Sequence, residues 1–374
     1  MIKLDSIKVL ITGSEGFIGK NLTVRLKEHS YYEIFTYTRG SSDEHLTDTL
    51  LKVDVVVHLA GENRPDSPEL FNIVNAGLTD KISKILTNNS VKIPIIFASS
   101  SHATSDNAYG HSKLAAEKIL QVLSQENGNP ILIYRLPGVF GKWCRPDYNS
   151  VVATFCHNVV NGLPLQISDE NTNLRLVYID DVIASIQGEI ENNQLGVNFN
   201  TVKPEYEITL GDLSKQINAF KNCRTSLVIE SVGVGLVRAL YATYVSHLPC
   251  KNFSYQIPSY NDERGIFVEM LKTPNSGQFS YFTAHPGITR GGHYHHTKTE
   301  KFLVIKGYAR FNFRQIVTNE RYTITTSGVT PEIVETVPGW VHDVTNIGDE
   351  EMIVMLWANE NFDRQKPDTI TSEV

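Results

Sequence analysis

Ile7-Lys8-Val9-Leu10-Ile11-Thr12 runs directly into Gly13-Ser14-Glu15-Gly16-Phe17-Ile18-Gly19, and this junction decides the fold of the first part of the chain. The first six residues are a short apolar run rich in β-branched side chains, as a buried strand requires. The next seven read GxxGxxG. Beyond them Ile18, Leu22 and Leu26 recur on one face of a helix. A strand, a glycine turn and a helix in that order form an anion site. Glycine lets the backbone turn tightly and approach a pyrophosphate, and the helix start offers free N–H groups and the positive end of its dipole. Gly13, Gly16 and Gly19, with the first helical residues Phe17 and Ile18, are therefore the expected contacts of a dinucleotide.

The pattern repeats outward from this point. Val53 to Ala60, Ile93 to Ser99 and Ile131 to Leu136 are further buried strands with helical stretches between them. This alternation predicts an α/β fold with a parallel, doubly wound sheet. Only a short stretch separates Arg39 from Val53, so the sheet is expected to lack a strand on that side. Residues from about Leu210 to Leu248 read as amphipathic helix. After Cys250 short runs of period-two alternation take over, as in Phe279 to Phe282, Lys301 to Ile305, Ala309 to Phe313 and Ile353 to Leu356. They predict an all-β module. With 374 residues, two domains are expected, 1–248 and 249–374. Asp368 to Val374 read as a frayed tail.

Composition narrows the class. Apolar residues make up 41% of the chain and charged residues 20%, with a net charge of −7. Neither a nucleic-acid nor a membrane partner is implied. The start, Met1-Ile2-Lys3-Leu4-Asp5, lacks the pattern of a signal peptide. Four scattered cysteines suit a reduced, cytoplasmic protein better than a disulfide framework.

Two short motifs carry chemistry in the first part. The end of the expected second strand reads Tyr37-Thr38-Arg39-Gly40-Ser41, where an acidic residue would hold the ribose of NAD. Arg39 suits an adenosine 2′-phosphate instead and favours NADPH. Tyr109-Gly110-His111-Ser112-Lys113 is YxxxK opening a helix, with Tyr and Lys on one face. An ammonium beside a phenol favours phenolate, so Lys113 is expected to lower the pKa of Tyr109 and make it a general acid for a carbonyl oxygen. The hydroxyls of Ser99-Ser100-Ser101 precede this pair at a strand end.

Together with His58-Leu59-Ala60-Gly61 and Arg135-Leu136-Pro137-Gly138-Val139-Phe140-Gly141, these motifs resemble the extended short-chain dehydrogenases that modify nucleotide sugars, over about residues 7–245. The resemblance implies Tyr109 as acid/base and Lys113 as its tuner and a ribose ligand. It implies Ser100, or Ser101, as the group polarising the carbonyl, and Leu59 and Ala60 beside the cofactor. Asn149, Arg175 and Tyr178 would hold the nucleotide diphosphate. The Asp-Glu pair of the 4,6-dehydratases is absent, because Ser101-His102-Ala103 stands there. That subclass is rejected, and the tightly bound NAD of the 4-epimerases would fit Arg39 poorly, which leaves net reduction of a keto sugar as the simplest reading.

The second part carries Gly287…His293-Tyr294-His295…Glu300…Gly307 and Pro338-Gly339-Trp340-Val341-His342…Asn346, which resemble the two cupin motifs. In a strand His293 and His295 share a face, and a turn over His296 to Thr299 resets the phase for Glu300. With His342 they form a three-histidine, one-carboxylate set fit for a divalent metal. The resemblance implies zinc, and the donor set suits other divalent metals too. Asp262-Glu263-Arg264-Gly265 and Arg290-Gly291-Gly292-His293 are also similar to the dehydrorhamnose 3,5-epimerases. That likeness implies Arg264 as a substrate contact and His293 as a base. His293 thus has two competing assignments, ligand or base. If it binds metal, His285, His296 and Lys298 are candidates for moving the proton.

A reductase fused to an epimerase-like cupin, with Lys142-Trp143 and Arg145 to Ser150 in the substrate region, resembles the bifunctional capsule-sugar enzymes along the whole chain. The resemblance implies a cytoplasmic homodimer whose substrate is UDP-2-acetamido-2,6-dideoxy-β-L-arabino-hexos-4-ulose. In it the cupin epimerises C3 and the reductase then reduces C4 with NADPH to UDP-N-acetyl-L-pneumosamine. Rival readings are a cupin that serves only as a metal-stabilised dimerisation module, and a catalytically dead sugar-nucleotide binder. Intact Ser100, Tyr109 and Lys113 argue against the last. NADPH is expected to be used in preference to NADH. Equal kcat/KM for the two cofactors would refute the role given to Arg39.

Overall fold

A computed structural model describes residues 6–63, 67–192, 195–365 and 367–374. In chain order the first elements are β1 (Ile7–Thr12), α1 (Phe17–Lys27), β2 (Tyr32–Tyr37), α2 (Asp43–Leu50), β3 (Val55–His58), α3 (Pro68–Phe71) and α4 (Gly77–Asn88). β4 (Ile95–Ser100), α5 (Ala108–Asn127), β5 (Ile131–Leu136), β6 (Gly138–Phe140), α6 (Val151–Asn161), β7 (Asn173–Tyr178), α7 (Ile179–Ile190), β8 (Val197–Asn200) and β9 (Tyr206–Thr209) follow. Two helices, α8 (Leu210–Ser226) and α9 (Gly235–Ser246), precede the strands of the C-terminal part. Contacts divide the chain into two compact units: residues up to 217 with 239–248, and 218–238 with 249–374.

The first unit is the expected parallel sheet, in the order β2-β1-β3-β4-β5-β8. β2 is its edge and only α2 connects it to β3, so the strand expected to be missing is missing. Leu10, Val56, Ile95, Phe97 and Ile133 of the strands pack on Leu46, Ile82, Leu86, Ala116 and Leu120 of α2, α4 and α5, all buried. Burial on both faces is why these strands read as continuous apolar runs. A small sheet of β6, β7 and β9 completes the unit.

The second unit holds β10 (Tyr260–Asp262), β11 (Gly265–Lys272), β12 (Gln278–Ala284), β13 (Thr289–Tyr294), β14 (Glu300–Lys306) and β15 (Tyr308–Gln315). It continues with β16 (Arg321–Ser327), β17 (Ile333–Glu335), β18 (Trp340–Asn346), β19 (Met352–Ala358) and β20 (Ile370–Thr371). They form two sheets, β10-β11-β12-β19-β14-β17 and β16-β15-β18-β13-β20. Phe282, Phe302, Val304, Val354 and Leu356 of the first share one core with Phe311, Phe313 and Val344 of the second. This is the expected all-β jelly roll, and the period-two alternation is its inward face.

Two expectations need correction. The helical reading of 210–248 is interrupted, because the backbone of Leu227 and Ile229 bonds to Lys272 at 2.7 and 2.8 Å, which ends α8 and adds a bridge to β11. The C-terminal tail is not frayed. β20 pairs with β13, setting Thr371 opposite His293 and Ile370 opposite Tyr294. Arg314 bonds Ser372 Oγ and the Glu373 carbonyl, each at 3.0 Å. These are partners that no periodicity in seven residues could announce.

Candidate functional site

The first candidate site lies at the carboxyl ends of β1, β3 and β4. Gly13 has φ +70°, and a Cβ there would lie 2.7 Å from the Ala60 backbone. A Cβ on Gly19 would lie 2.2 Å from the Gly13 carbonyl oxygen. Both positions therefore demand glycine. Gly16 caps α1 without any side-chain bond to the helix start, so the first N–H groups are left to a ligand. Phe17 and Ile18 open that helix, and the Leu59 and Ala60 amides bond to Thr12. Close glycine packing with an open helix start is a cradle that fits a dinucleotide pyrophosphate. Arg39 projects beyond β2, 85% exposed, in an ion pair with Glu62, which also accepts from Tyr148 Oη at 2.8 Å.

Tyr109 and Lys113 stand on α5 beside the end of β4. Asn107 caps the helix through the Gly110 amide at 2.8 Å. A Cβ on Gly110 would lie 2.4 Å from the carbonyls of both His102 and Ser105, so glycine inside the YxxxK motif lets the helix press against the turn after β4. Of the three serines, Ser99 donates to the fully buried Glu117 at 2.5 Å. Arg135 grips both oxygens of that carboxylate at 3.0 and 2.6 Å. This bidentate pair ties α5 to β5. Ser100, whose hydroxyl accepts the His102 amide at 3.1 Å, lies beside Tyr109 and opposes the burial-driven rise of its pKa, whereas Ser101 begins a short 3₁₀ turn. Glu117 was not foreseen, and its only signal in the sequence is its place one helical turn beyond Lys113.

Lys113 is buried, and its ammonium donates to the Ala98 carbonyl at 3.0 Å and lies 5.2 Å over the Phe97 ring. Burial lowers its pKa to about 8, opposed by the charge of Glu117. The expected lowering of the Tyr109 pKa is not found. Burial raises it, and the bond from Ser100 opposes that rise. The physical reason is that burial of the phenol disfavours the charged phenolate. His58, fully buried between Thr12 Oγ1 at 2.7 Å and Thr79 Oγ1 at 2.9 Å, falls to about 3 through burial and then the charge of Lys113. It is a neutral structural strut.

The expected nucleotide-binding residues scatter. Asn149 lines a cleft of about 600 Å³ at the start of α6, with Tyr148, Ser150, Thr154, Asn158 and Gln166. Arg175 is 60% exposed and paired with Glu205 at 2.5 Å. Tyr178 is buried at the end of β7, its ring 5.6 Å from Phe140. Neither lines the cleft.

The second candidate site lies in the jelly roll. A bulge in β13 between Gly291 and His293 brings His293 opposite His342 on β18. His293, His295, Glu300 and His342 gather with all donor atoms within 4.8 Å of one another. The ring centroids of His293 lie 4.9 Å from His295 and 4.7 Å from His342. His295 Nε2 and His342 Nε2 stand 3.2 and 3.4 Å from the same Glu300 oxygen. His295 donates through Nδ1 to the Asp368 carbonyl, so in the neutral ring its Nε2 carries a lone pair towards a carboxylate. Facing lone pairs are the arrangement that a cation resolves, and the set fits a divalent metal. Burial raises the Glu300 pKa, but the facing imidazoles of His295 and His342, when protonated, and the Lys298 ammonium outweigh it and hold Glu300 ionised. Burial and then His342 bring His293 down to about 4, neutral and suited to either ligation or base chemistry. With Arg290, Phe302 and Leu356, the cluster residues His293, Glu300 and His342 line a cavity of about 150 Å³. Arg264 is paired with Asp262 at 2.5 Å and does not line it. Of the other proton-transfer candidates, Lys298 bonds Glu300 at 2.8 Å, whereas His285 lies 3.8 Å from Glu351 and His296 is exposed.

Both parts of the chain are similar to known proteins. A model described as NAD dependent epimerase/dehydratase family matches residues 9–201, and one described as polysaccharide biosynthesis C-terminal domain matches residues 260–370. The UDP-2-acetamido-2,6-beta-L-arabino-hexul-4-ose reductase of Pseudomonas aeruginosa is 53% identical over 98% of this chain and 99% of its own. The crystal structure of the capsular polysaccharide assembling protein CapF of Staphylococcus aureus matches with a TM-score of 0.89 and 41% identity, covering 98% of this chain and all of that one. A UDP-glucuronic acid 4-epimerase of Bacillus cereus, 19% identical with a TM-score of 0.55 over 64% of this chain and 99% of its own, shares the fold of the first part.

One divalent cation per chain is expected on elemental analysis of the purified protein, with loss of that cation in His342→Ala. No bound metal and no effect of a chelator on C3 proton exchange would instead favour His293 as a base.

Proposed function

The chain belongs to the NAD dependent epimerase/dehydratase family, and from that premise we propose that it reduces the C4 ketone of UDP-2-acetamido-2,6-dideoxy-β-L-arabino-hexos-4-ulose with NADPH, after C3 has been epimerised by the C-terminal jelly roll. At the coarser level it is an oxidoreductase of nucleotide sugars that uses a nicotinamide cofactor. The observation that carries the reduction is the contact of Ser100 with Tyr109 at the end of β4, one helical turn from the ammonium of Lys113.

NADPH, when bound, supplies the hydride. Gly13, Gly16 and the start of α1 would hold its pyrophosphate, with Leu59 and Ala60 alongside. Arg39 would exchange Glu62 for the 2′-phosphate. Ser100 donates a hydrogen bond to the ketone oxygen and Tyr109 delivers the proton to it as C4 becomes a carbinol. Its raised pKa keeps the phenol protonated and ready as an acid. Lys113 would hold the ribose of the cofactor. Asn149 and its cleft would receive the nucleotide.

The order of steps follows from the substrate. A C4 ketone acidifies the C3 hydrogen, so a base can remove that proton to give an enolate that is reprotonated on the opposite face. Reduction then removes the ketone and locks the configuration. His293, neutral and lining the cavity of the jelly roll, would be that base if the cluster holds no cation; with a cation bound it is a ligand and another side chain moves the proton. The likeness to CapF supports a place for the product, UDP-N-acetyl-L-pneumosamine, among capsule precursors on the route to N-acetyl-L-fucosamine.

With the 4-keto sugar in D₂O, Tyr109→Phe is expected to lower NADPH oxidation by at least ~100-fold, as loss of a general acid does, while deuterium still enters C3. His342→Ala is expected to impair uptake at C3. Unimpaired C3 exchange in a chain ending at Leu248 would overturn the epimerase assignment and leave the jelly roll a structural module.

A further inference from the structure

The last residues of the chain close on the histidine–glutamate cluster. The Asp368 carboxylate accepts the backbone N–H groups of three successive residues: His296 at 2.9 Å, Thr297 at 2.7 Å and Lys298 at 2.9 Å. It also takes the Thr297 hydroxyl at 3.1 Å. These three residues form the turn between His295 and Glu300. The main-chain carbonyl of the same aspartate accepts from His295 Nδ1. Beyond it, β20 pairs with the end of β13 that carries His293, and the Ser372 amide bonds the Gly292 carbonyl at 3.0 Å. Lys298, whose amide Asp368 holds, sends its ammonium to Glu300 at 2.8 Å.

Asp368 therefore touches the cluster twice. Through its carbonyl it sets which His295 nitrogen carries the proton, leaving Nε2 bare towards Glu300. Through its carboxylate it fixes the turn that carries the chain from His295 to Glu300. An Nδ1–H donated to a carbonyl is the arrangement that orients a metal-ligating imidazole and selects its ligand nitrogen. A carboxylate gathering three N–H groups makes strong, charge-assisted bonds and immobilises the loop that makes them.

We propose that Asp368 is a positioning residue for the metal centre, and that the C-terminal segment it begins is a strap that presents His295 and Glu300 as ligands. This inference rests on the divalent-cation reading of the cluster. It goes beyond that reading by assigning a role to a segment that supplies no ligand.

The test uses the full chain and its Asp368→Ala and Asp368→Asn variants, with Zn²⁺ affinity measured by competition with a chromophoric chelator and Co²⁺ absorption as a report on ligand geometry. Asp368→Ala is expected to weaken Zn²⁺ about 10–100-fold, the usual effect of removing an outer-shell partner, and to change the Co²⁺ bands. Asp368→Asn keeps an oxygen acceptor for the turn and is expected to recover part of the affinity, which general damage to the fold would not predict. Affinity within twofold of the parent and an unaltered Co²⁺ spectrum in Asp368→Ala would overturn the proposal. If the parent itself binds neither ion, the cation reading falls by itself. Hydrogen exchange of the His296, Thr297 and Lys298 amides, read by NMR of the metal-free protein, then decides about Asp368. Loss of their protection in Asp368→Ala supports the positioning role, and unchanged protection overturns it.

Discussion

A lysine ammonium held inside the first unit is the constraint around which the reductase site is arranged. Leaving a buried charge without a partner costs about 3–5 kcal/mol, so Lys113 must find one. It does so at the Ala98 carbonyl, with the Phe97 ring beneath it. That contact requires α5 to lie hard against the end of β4, and several other residues serve the same closeness. Gly110 removes the Cβ that would strike the His102 and Ser105 carbonyls. Glu117 takes Ser99 on one side and Arg135 on the other. Ser100 then stands next to Tyr109. A Cβ on Gly61 would lie 3.1 Å from the Lys113 ammonium, so the loop after β3, which the cofactor must also border, reaches the same point.

The second unit obeys a different constraint, the convergence of four donors from three strands and a turn. Strand register supplies most of it. The bulge in β13 puts His293 across from His342, and the antiparallel pairing of β14 with β19 fixes Glu300 opposite Ala358. The turn between His295 and Glu300 is the weak link, because its amides have no ladder to join. Asp368 supplies the acceptors they lack.

Much of this was legible in the sequence where local chemistry dictates structure. The glycines of the first loop mark a turn that no other residue can make, and four-residue spacing puts Tyr109 and Lys113 on one helix face. The motifs around His293, Glu300 and His342 named a cluster that β-pairing then assembled. What was not legible depends on partners distant in the chain. Glu117, gripped by Arg135, takes up the Ser99 hydroxyl, a pairing between residues far apart in the chain. The direction of the Tyr109 pKa turned on how deeply its phenol is buried. Arg175 and Arg264, read as phosphate or substrate contacts, are paired with Glu205 and Asp262. The terminal residues read as loose because their acceptor role appears only against the turn they bind.

The account depends most on Lys113 acting as a cation whose charge is easily lost. Below a pH of about 8 the ammonium is intact, and above it burial removes the proton. Because kcat/KM for NADPH reports the ionisations of the free enzyme, the decisive measurement is its pH profile. The account predicts a fall as the pH rises through about 8. A profile that stays flat to pH 10 would contradict it.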